Sequence, residues 1–447
     1  MANTDLYRLT ASQVAAGVRS GSFTVEEYAQ SLLSRIKERD DAVKAWAYLD
    51  PDQVLNQARQ LDKIPPEARG PLHGVSVGVK DVIYTKDMPT QHNSPIYKNT
   101  PAGGVDAGSI TILRNAGALI LGKTATTEFA ATTEGPATRN PHNRERTPGG
   151  SSSGSGAAVA DLQAAVSLGT QTGGSIIRPG SFNGVYAFKP TWNAVTREGQ
   201  KVFSLILDTF GVYARSVEDL ELLADVFELR DDVPPFLETK GQFVVEGAKL
   251  AFMKTVVWDT QVEPGTEAAM AKAVELLRAH GAEVDEIEFP EDLKELPKWH
   301  TVIFRTDGRT AFLPDYLASK DQMHEQLHEH VENKYKHTHA EQLEAFDHMA
   351  AARPKADALL SKYDAVLTPS VPGEAPVGLE STGSPIFQLI WTALHVPIIN
   401  VPGFQGENGL PIGISLVAPR YHDRKLLAAS RSIGKIFEEE GGWKSEL

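Results

Sequence analysis

The sequence predicts an α/β layered fold, and three observations predict it. Short apolar runs that read as strands alternate with amphipathic stretches that read as helices along most of the chain. The run Gly74–Val82 (GVSVGVKDV) alternates small and branched apolar residues, as a buried strand does. No tandem repeat and no Gly/Ser- or Pro-rich linker divides the 447 residues, so residues 1–447 are expected to form one unit. Its core is expected over about 65–230 and 365–447, with a variable, mostly helical insertion over about 230–365.

Composition narrows the function classes. Apolar residues make up 41% and charged residues 23%, an ordinary globular balance with ample chain for a large core. A net charge of −14 argues against nucleic acid or an anionic membrane as partner, since both call for clustered Lys and Arg. Cysteine is absent, which removes disulfides, thiol nucleophiles and Cys-based metal centres, and fits a cytoplasmic protein. No basic segment followed by an apolar one opens the chain, and no apolar run approaches the roughly 18 residues that span a bilayer. The closing Lys444–Leu447 (KSEL) looks like a retention tetrapeptide, but without an entry signal it reads as coincidence.

In chain order, residues 5–40 read as two helices, the second opened by a Thr24/Glu27 capping box with Tyr28, Leu32, Leu33 and Ile36 at helical spacing. Trp46–Leu49 reads as a strand, Asp50–Leu61 as a helix and Gly74–Val82 as a strand with Lys80 near its end. A helix at Ser109–Asn115 and strands at Ala118–Leu121 and Ala164–Leu168 follow. The alternation then continues through a helix at Ser216–Phe227, a strand at Lys249–Met253, a helix at Glu267–His280 and a strand at Glu283–Phe289. From about Leu293 to Tyr363 the chain turns charged, His-rich and helical. Strands at Ala365–Thr368, Ile398–Val401 and Ile412–Val417, and helices around Ile386–Leu394 and at Arg424–Glu439, complete the pattern.

The chemistry concentrates in Thr147–Pro179, which holds two glycine/serine clusters at Gly149–Gly156 and Thr170–Ser175. Serine attacks a carbonyl only when a base removes its proton and donors receive the resulting charge; converging N–H groups of a glycine-rich turn can be those donors. Neither cluster contains His or Asp, so the base lies elsewhere. Two short motifs compete. Gly150–Gly154 matches the G-x-S-x-G elbow with Ser152 at its centre, but the preceding NPHNRERTPG is polar and broken by proline where an apolar strand is required. His324 and His328 match H-E-x-x-H, with His330 close by, and a zinc hydrolase is the corresponding alternative. The flanking Asp321–His348 reads instead as a solvated helical face, and no third ligand stands out.

Five pieces, in order, resemble the amidase signature family: GVSVGVKDVIYTKDMPT around Lys80, GKTATTEFA at Gly122–Ala130, NPHNRERTPGGSSSGSGAAVA at Asn140–Ala160, GTQTGGSIIRPGSFNGVYAFKPT at Gly169–Thr191, and GLPIGISLVAP at Gly409–Pro419. The resemblance implies an α/β/α fold on a twisted mixed central sheet, and amide hydrolysis by a Ser–Ser–Lys triad. Ser175 takes the place of the nucleophile, Ser151 that of the bridging serine 24 residues earlier, preceded by a cis peptide, and Lys80 that of the base. The N–H groups of Thr172, Gly173, Gly174 and Ser175 take the place of the oxyanion hole. No metal or organic cofactor is implied. The expected partner is a small-molecule amide, a homodimer is allowed for, and the family also contains the glutaminase subunit of a tRNA-dependent amidotransferase.

The residues support this assignment chemically. A lysine, with a pKa of about 10.4 in water, serves as a base once burial disfavours its charged form. The mainly apolar strand around Lys80 suits that, and Asp81 and Asp87 would oppose it if they faced the amine. Ser152, Thr170, Gln171 and Arg178 are expected to bind substrate or support the site. Many family members carry Asp where this chain has Gln171, and place Arg two residues after the nucleophile rather than three. Arg178 is therefore expected either to pair with an anionic substrate group or to tie its loop to the core.

Overall fold

Successive side chains of a strand point to opposite faces, and the buried strands here feed two hydrophobic clusters on that period. In the strand Lys249–Lys254, for instance, Leu250 and Phe252 join one cluster while Ala251 and Met253 join the other. The computed structural model describes residues 5–231 and 243–447; the start of the expected insertion at 232–242 lies outside the described residues. The strands are β1 (Trp46–Leu49), β2 (Ser76–Lys80), β3 (Leu119–Thr124), β4 (Val166–Gln171), β5 (Tyr186–Lys189), β6 (Thr209–Ala214), β7 (Lys249–Lys254), β8 (Glu283–Glu288), β9 (Ala365–Pro369), β10 (Ile398–Gln405) and β11 (Pro411–Val417).

These 11 strands form one sheet in the order β1-β3-β2-β4-β6-β5-β10-β11-β9-β7-β8. It is mixed, as expected. β2 runs parallel to β3 and β4, β7 runs parallel to β8 and β9, and the pairs in between are antiparallel. One cluster packs the sheet against the N-terminal helices and Asp423–Glu440; the other packs it against Leu296–Ala311 and His339–Leu360. The Thr24/Glu27 capping box is present at the head of α1 (Val25–Val43).

One local reading changes. Within 230–365 the two expected strands are present as β7 and β8 and extend the main sheet beyond β9, and from residue 291 helices take over. The apolar stretch between the two glycine/serine clusters begins as a helix, α2 (Ser153–Ala160), and Ile177–Phe182 forms another, α3. Glycine content there signals close approach rather than a loop. A Cβ on Gly154 would lie 2.1 Å from the Ala45 carbonyl oxygen and 2.4 Å from the Ala125 nitrogen. The other expected elements fall within a few residues of their expected bounds, and β5 and β6 are strands that the sequence reading did not name.

Candidate active site

Lys80 ends β2. Val77 and Val79 belong to one apolar cluster, so alternation turns Lys80 to the opposite face, toward α2 and the serine loop. Its side chain is fully buried, and Nζ lies 2.7 Å from Ser151 Oγ, 2.8 Å from Thr170 Oγ1 and 3.5 Å from Thr170 O. Burial holds its pKa well below the ordinary lysine value, the Arg178 charge acts in the same direction, and the Asp208 carboxylate opposes both. The two carboxylates that the sequence placed nearby are engaged elsewhere. Asp81 lies 3.4 Å from Lys123 Nζ and accepts from the Gln91 amide, and Asp87 lies 2.6 Å from Arg114.

The Gly150–Ser151 peptide is cis. Its loop is fastened at several points: Ser153 Oγ donates to Gly149 O at 2.7 Å, Asn183 to Pro148 O at 2.7 Å, and the Gly154 amide to Ala125 O at 2.9 Å. Ser152, the centre of the G-x-S-x-G match, is fully buried. Its hydroxyl donates to Thr170 O and accepts from Thr170 N, both at 3.3 Å, and so latches the loop to β4.

β4 delivers the second cluster. Ser175 is half-buried, and its carbonyl accepts from the Tyr213 hydroxyl at 3.0 Å. Lys80, Ser151 and Thr170 are joined by hydrogen bonds, whereas the Ser175 hydroxyl has none to a described residue. The amides of Gly173, Gly174 and Ser175 likewise donate to no acceptor among the described residues.

The turn is braced from four distant places. Gln171 Oε1 accepts from the amides of Ile176 and Ile177 at 2.9 and 3.1 Å, while its Nε2 donates to Thr392 Oγ1 at 3.0 Å. Thr392 in turn donates to Gly173 O at 2.7 Å. Thr172 Oγ1 donates to Asp208 at 2.6 Å. Burial raises the Asp208 carboxyl to about 6, against the pull of the hydrogen bonds it accepts. His300, on α4 (Leu296–Ala311), lies 2.8 Å from Thr172 O through Nε2; burial lowers its pKa to about 4, so it donates as a neutral imidazole.

Asp208, His300, Tyr213 and Thr392 escaped the sequence reading. They lie 36 to 219 residues from their hydrogen-bond partners in the turn and carry no local motif. Arg178 is buried, and burial lowers its pKa to about 10. Its guanidinium donates to Gly150 O at 2.5 and 3.2 Å, to Thr382 Oγ1 at 3.2 Å and to Gly383 O. Of the two readings offered for it, these contacts are those of the loop tie.

The H-E-x-x-H match does not assemble a metal centre. His324 caps the helix Glu325–Val331 instead of lying within it; its Nδ1 accepts from the Gln326 amide and its Nε2 faces Glu134 at 3.0 Å. His328 faces the Lys320 carbonyl. Among the described residues no cluster of three or more His, Cys, Asp or Glu side chains could hold a metal ion, and no helix is long and apolar enough to cross a membrane.

A mixed sheet that carries a buried lysine against a serine after a cis peptide defines a class, and the amidase family model matches residues 27–427. The chain belongs to the amidase signature family, a family of amide-cleaving enzymes. In sequence it is 31% identical to a glutamyl-tRNA(Gln) amidotransferase subunit of Symbiobacterium thermophilum, over 97% of this chain and all of that one. It is 37% identical to the subunit of the same name from Thermobifida fusca over 67% of this chain, a match that spans 63% of that relative's length. Among solved structures, a protein described as an amidase superposes with a TM-score of 0.85 at 28% identity, covering 97% of this chain and 100% of that one. A chain from a vestigial complex related to an s-triazine catabolic enzyme gives a TM-score of 0.87 at 25% identity, over 98% and 100%.

Proposed function

We propose that this amidase hydrolyses a small carboxylic amide through a serine acyl-enzyme, with Ser175 as nucleophile, Ser151 as proton bridge and Lys80 as base. The carrying observation is a fully buried Lys80 with no carboxylate in contact among the described residues and its Nζ 2.7 Å from Ser151 Oγ. A neutral amine fits that position: its lone pair accepts from the Ser151 hydroxyl while its two N–H groups donate to the oxygens of Thr170.

In acylation, Ser175 gives its proton to Ser151 Oγ as Ser151 passes its own to Lys80 Nζ. Ser175 Oγ bonds to the substrate carbonyl carbon, and the carbonyl oxygen takes the negative charge opposite the N–H groups of residues 172–175. The C–N bond then breaks, and the leaving nitrogen receives a proton from Ser151, which regains one from Lys80. Water repeats the sequence on the acyl-enzyme and releases the acid. Esters are substrates by the same steps. Side chains and backbone supply every group, and the cytoplasm is the location we assign, consistent with a chain without cysteine.

Labelling with a fluorophosphonate, followed by an amide panel, tests the assignment. Wild type labels and Ser175→Ala does not; equal labelling removes Ser175 as nucleophile. The names of the sequence relatives favour a second reading, the glutaminase subunit of an amidotransferase. Amide hydrolysis by the purified chain alone supports the first reading; hydrolysis only with added partner subunits supports the second.

A further inference from the structure

A cavity of about 390 Å3 adjoins the serine turn at Gly173 and is lined also by His300, Phe304, Arg305, Tyr335 and Leu389 among others. Gly173 brings the turn into this wall, and α4 brings both His300 and Arg305. Arg305 is half-buried, and its guanidinium carbon lies 3.5 Å from the centroid of the Tyr335 ring. That stacking fixes the planar group while leaving its N–H edge open. Among the described residues the guanidinium makes no ion pair and no hydrogen bond.

The other charged or titratable groups on the wall do not cancel it. Glu329 is paired with Lys334 and accepts from the Tyr335 hydroxyl at 2.9 Å. Burial lowers the pKa of His300 to about 4 and moves that of His330 down from its ordinary value, which disfavours the charged form of both. One uncompensated cation therefore faces a cavity whose remaining wall includes Phe304, Pro385 and Leu389. Arg178, the sequence candidate for an anionic group, has its donors turned onto loop oxygens instead.

We propose that Arg305 anchors a substrate carboxylate, so that the preferred substrates are half-amides: a scissile amide at one end of a short apolar chain and a carboxylate at the other. The guanidinium fork donates two parallel hydrogen bonds to a carboxylate, a geometry that neutral amides and esters do not match. The inference rests on the amide-hydrolase reading and names the substrate class of that site.

The test measures ammonia release, as kcat/KM, from the monoamides of straight-chain dicarboxylic acids of three to six carbons and from the corresponding neutral diamides. Wild type favours at least one half-amide over its diamide by about 10- to 100-fold. In Arg305→Met that ratio falls to near one or below, and Arg305→Glu shifts preference toward an amide that carries an amine at its far end. Fluorophosphonate labelling of Ser175 in each variant shows that the site is intact. A second measurement needs no variant: the free dicarboxylic acid slows labelling of the wild type, and the uncharged diol of equal length does not. Diamide turnover with no half-amide preference, or a preference kept in Arg305→Met, overturns the carboxylate anchor and leaves the hydrolase reading standing. An unlabelled Ser175 with no amide cleaved removes the hydrolase reading, and the anchor with it.

Discussion

Gln171→Met removes one polar group and retains the volume. The buried Gln171 Oε1 is the acceptor for two amides, those of Ile176 and Ile177, and its Nε2 is a donor to Thr392. A buried N–H stripped of its partner costs about 1–3 kcal/mol, so the two orphaned amides together cost about 2–6 kcal/mol. Both amides lie just past Ser175, and a displacement of the turn by roughly 1 Å lowers turnover by about 100-fold. Urea unfolding gives the stability and the rate of fluorophosphonate labelling gives the state of the turn. Thr392→Val supplies the cross-check: it breaks the same Gln171 bond and also the bond to Gly173 O. Because the two changes share one interaction, the double variant loses less than the sum of the single losses, by about 0.5–3 kcal/mol. A Gln171→Met protein within about 1 kcal/mol of wild type, or additive losses in the double variant, would refute this account of the turn.

Lys80→Met abolishes fluorophosphonate labelling and has a distinctive pH signature. Burial lowers the folded pKa of Lys80, so between that value and about 10.4 the unfolded chain binds a proton that the folded one does not, and stability rises with pH. Wild type therefore gains stability relative to Lys80→Met as pH rises above the lowered folded value toward about 10; a constant difference in urea midpoints would contradict a neutral Lys80. Lys123→Met leaves the Asp81 carboxylate buried beside Lys80 without its partner and lowers stability by about 3–5 kcal/mol, with the companion change Asp81→Asn restoring part of it. Equal unfolding midpoints for Lys123→Met and the double variant would show that Lys123 does not neutralise Asp81.

What the sequence made legible was local. The Thr24/Glu27 box follows from capping chemistry, the helix behind it from a period of 3.6 residues and the strand around Lys80 from a period of two. Lys80 and Ser151 were named by the resemblance to the amidase signature family, the apolar strand around the lysine suited a base, and their side chains meet. Helix α2 was not legible, because SGSGAAVA has the composition of a loop and only the backbone of residues 45 and 125 explains why glycine is there. The two roles offered for Arg178 could not be separated either. Whether an arginine finds a substrate or a carbonyl depends on where residues 150, 382 and 383 arrive, and no spacing encodes that.

Helix α4 holds the carbonyl of Thr172 through His300 and, five residues later, lines the cavity with Arg305. A chimaera that exchanged residues 291–363 for the equivalent stretch of another amidase would therefore not be a clean swap of selectivity. Without a donor at the His300 position, Thr172 O loses its partner, and the graft would report a slow enzyme where only a differently selective one was intended. Modularity on this scaffold begins beyond the helix: a graft from Leu313 onward keeps the His300 contact with Thr172 O while replacing Tyr335, which stacks on Arg305, and is the boundary at which recognition and reactivity can be engineered apart.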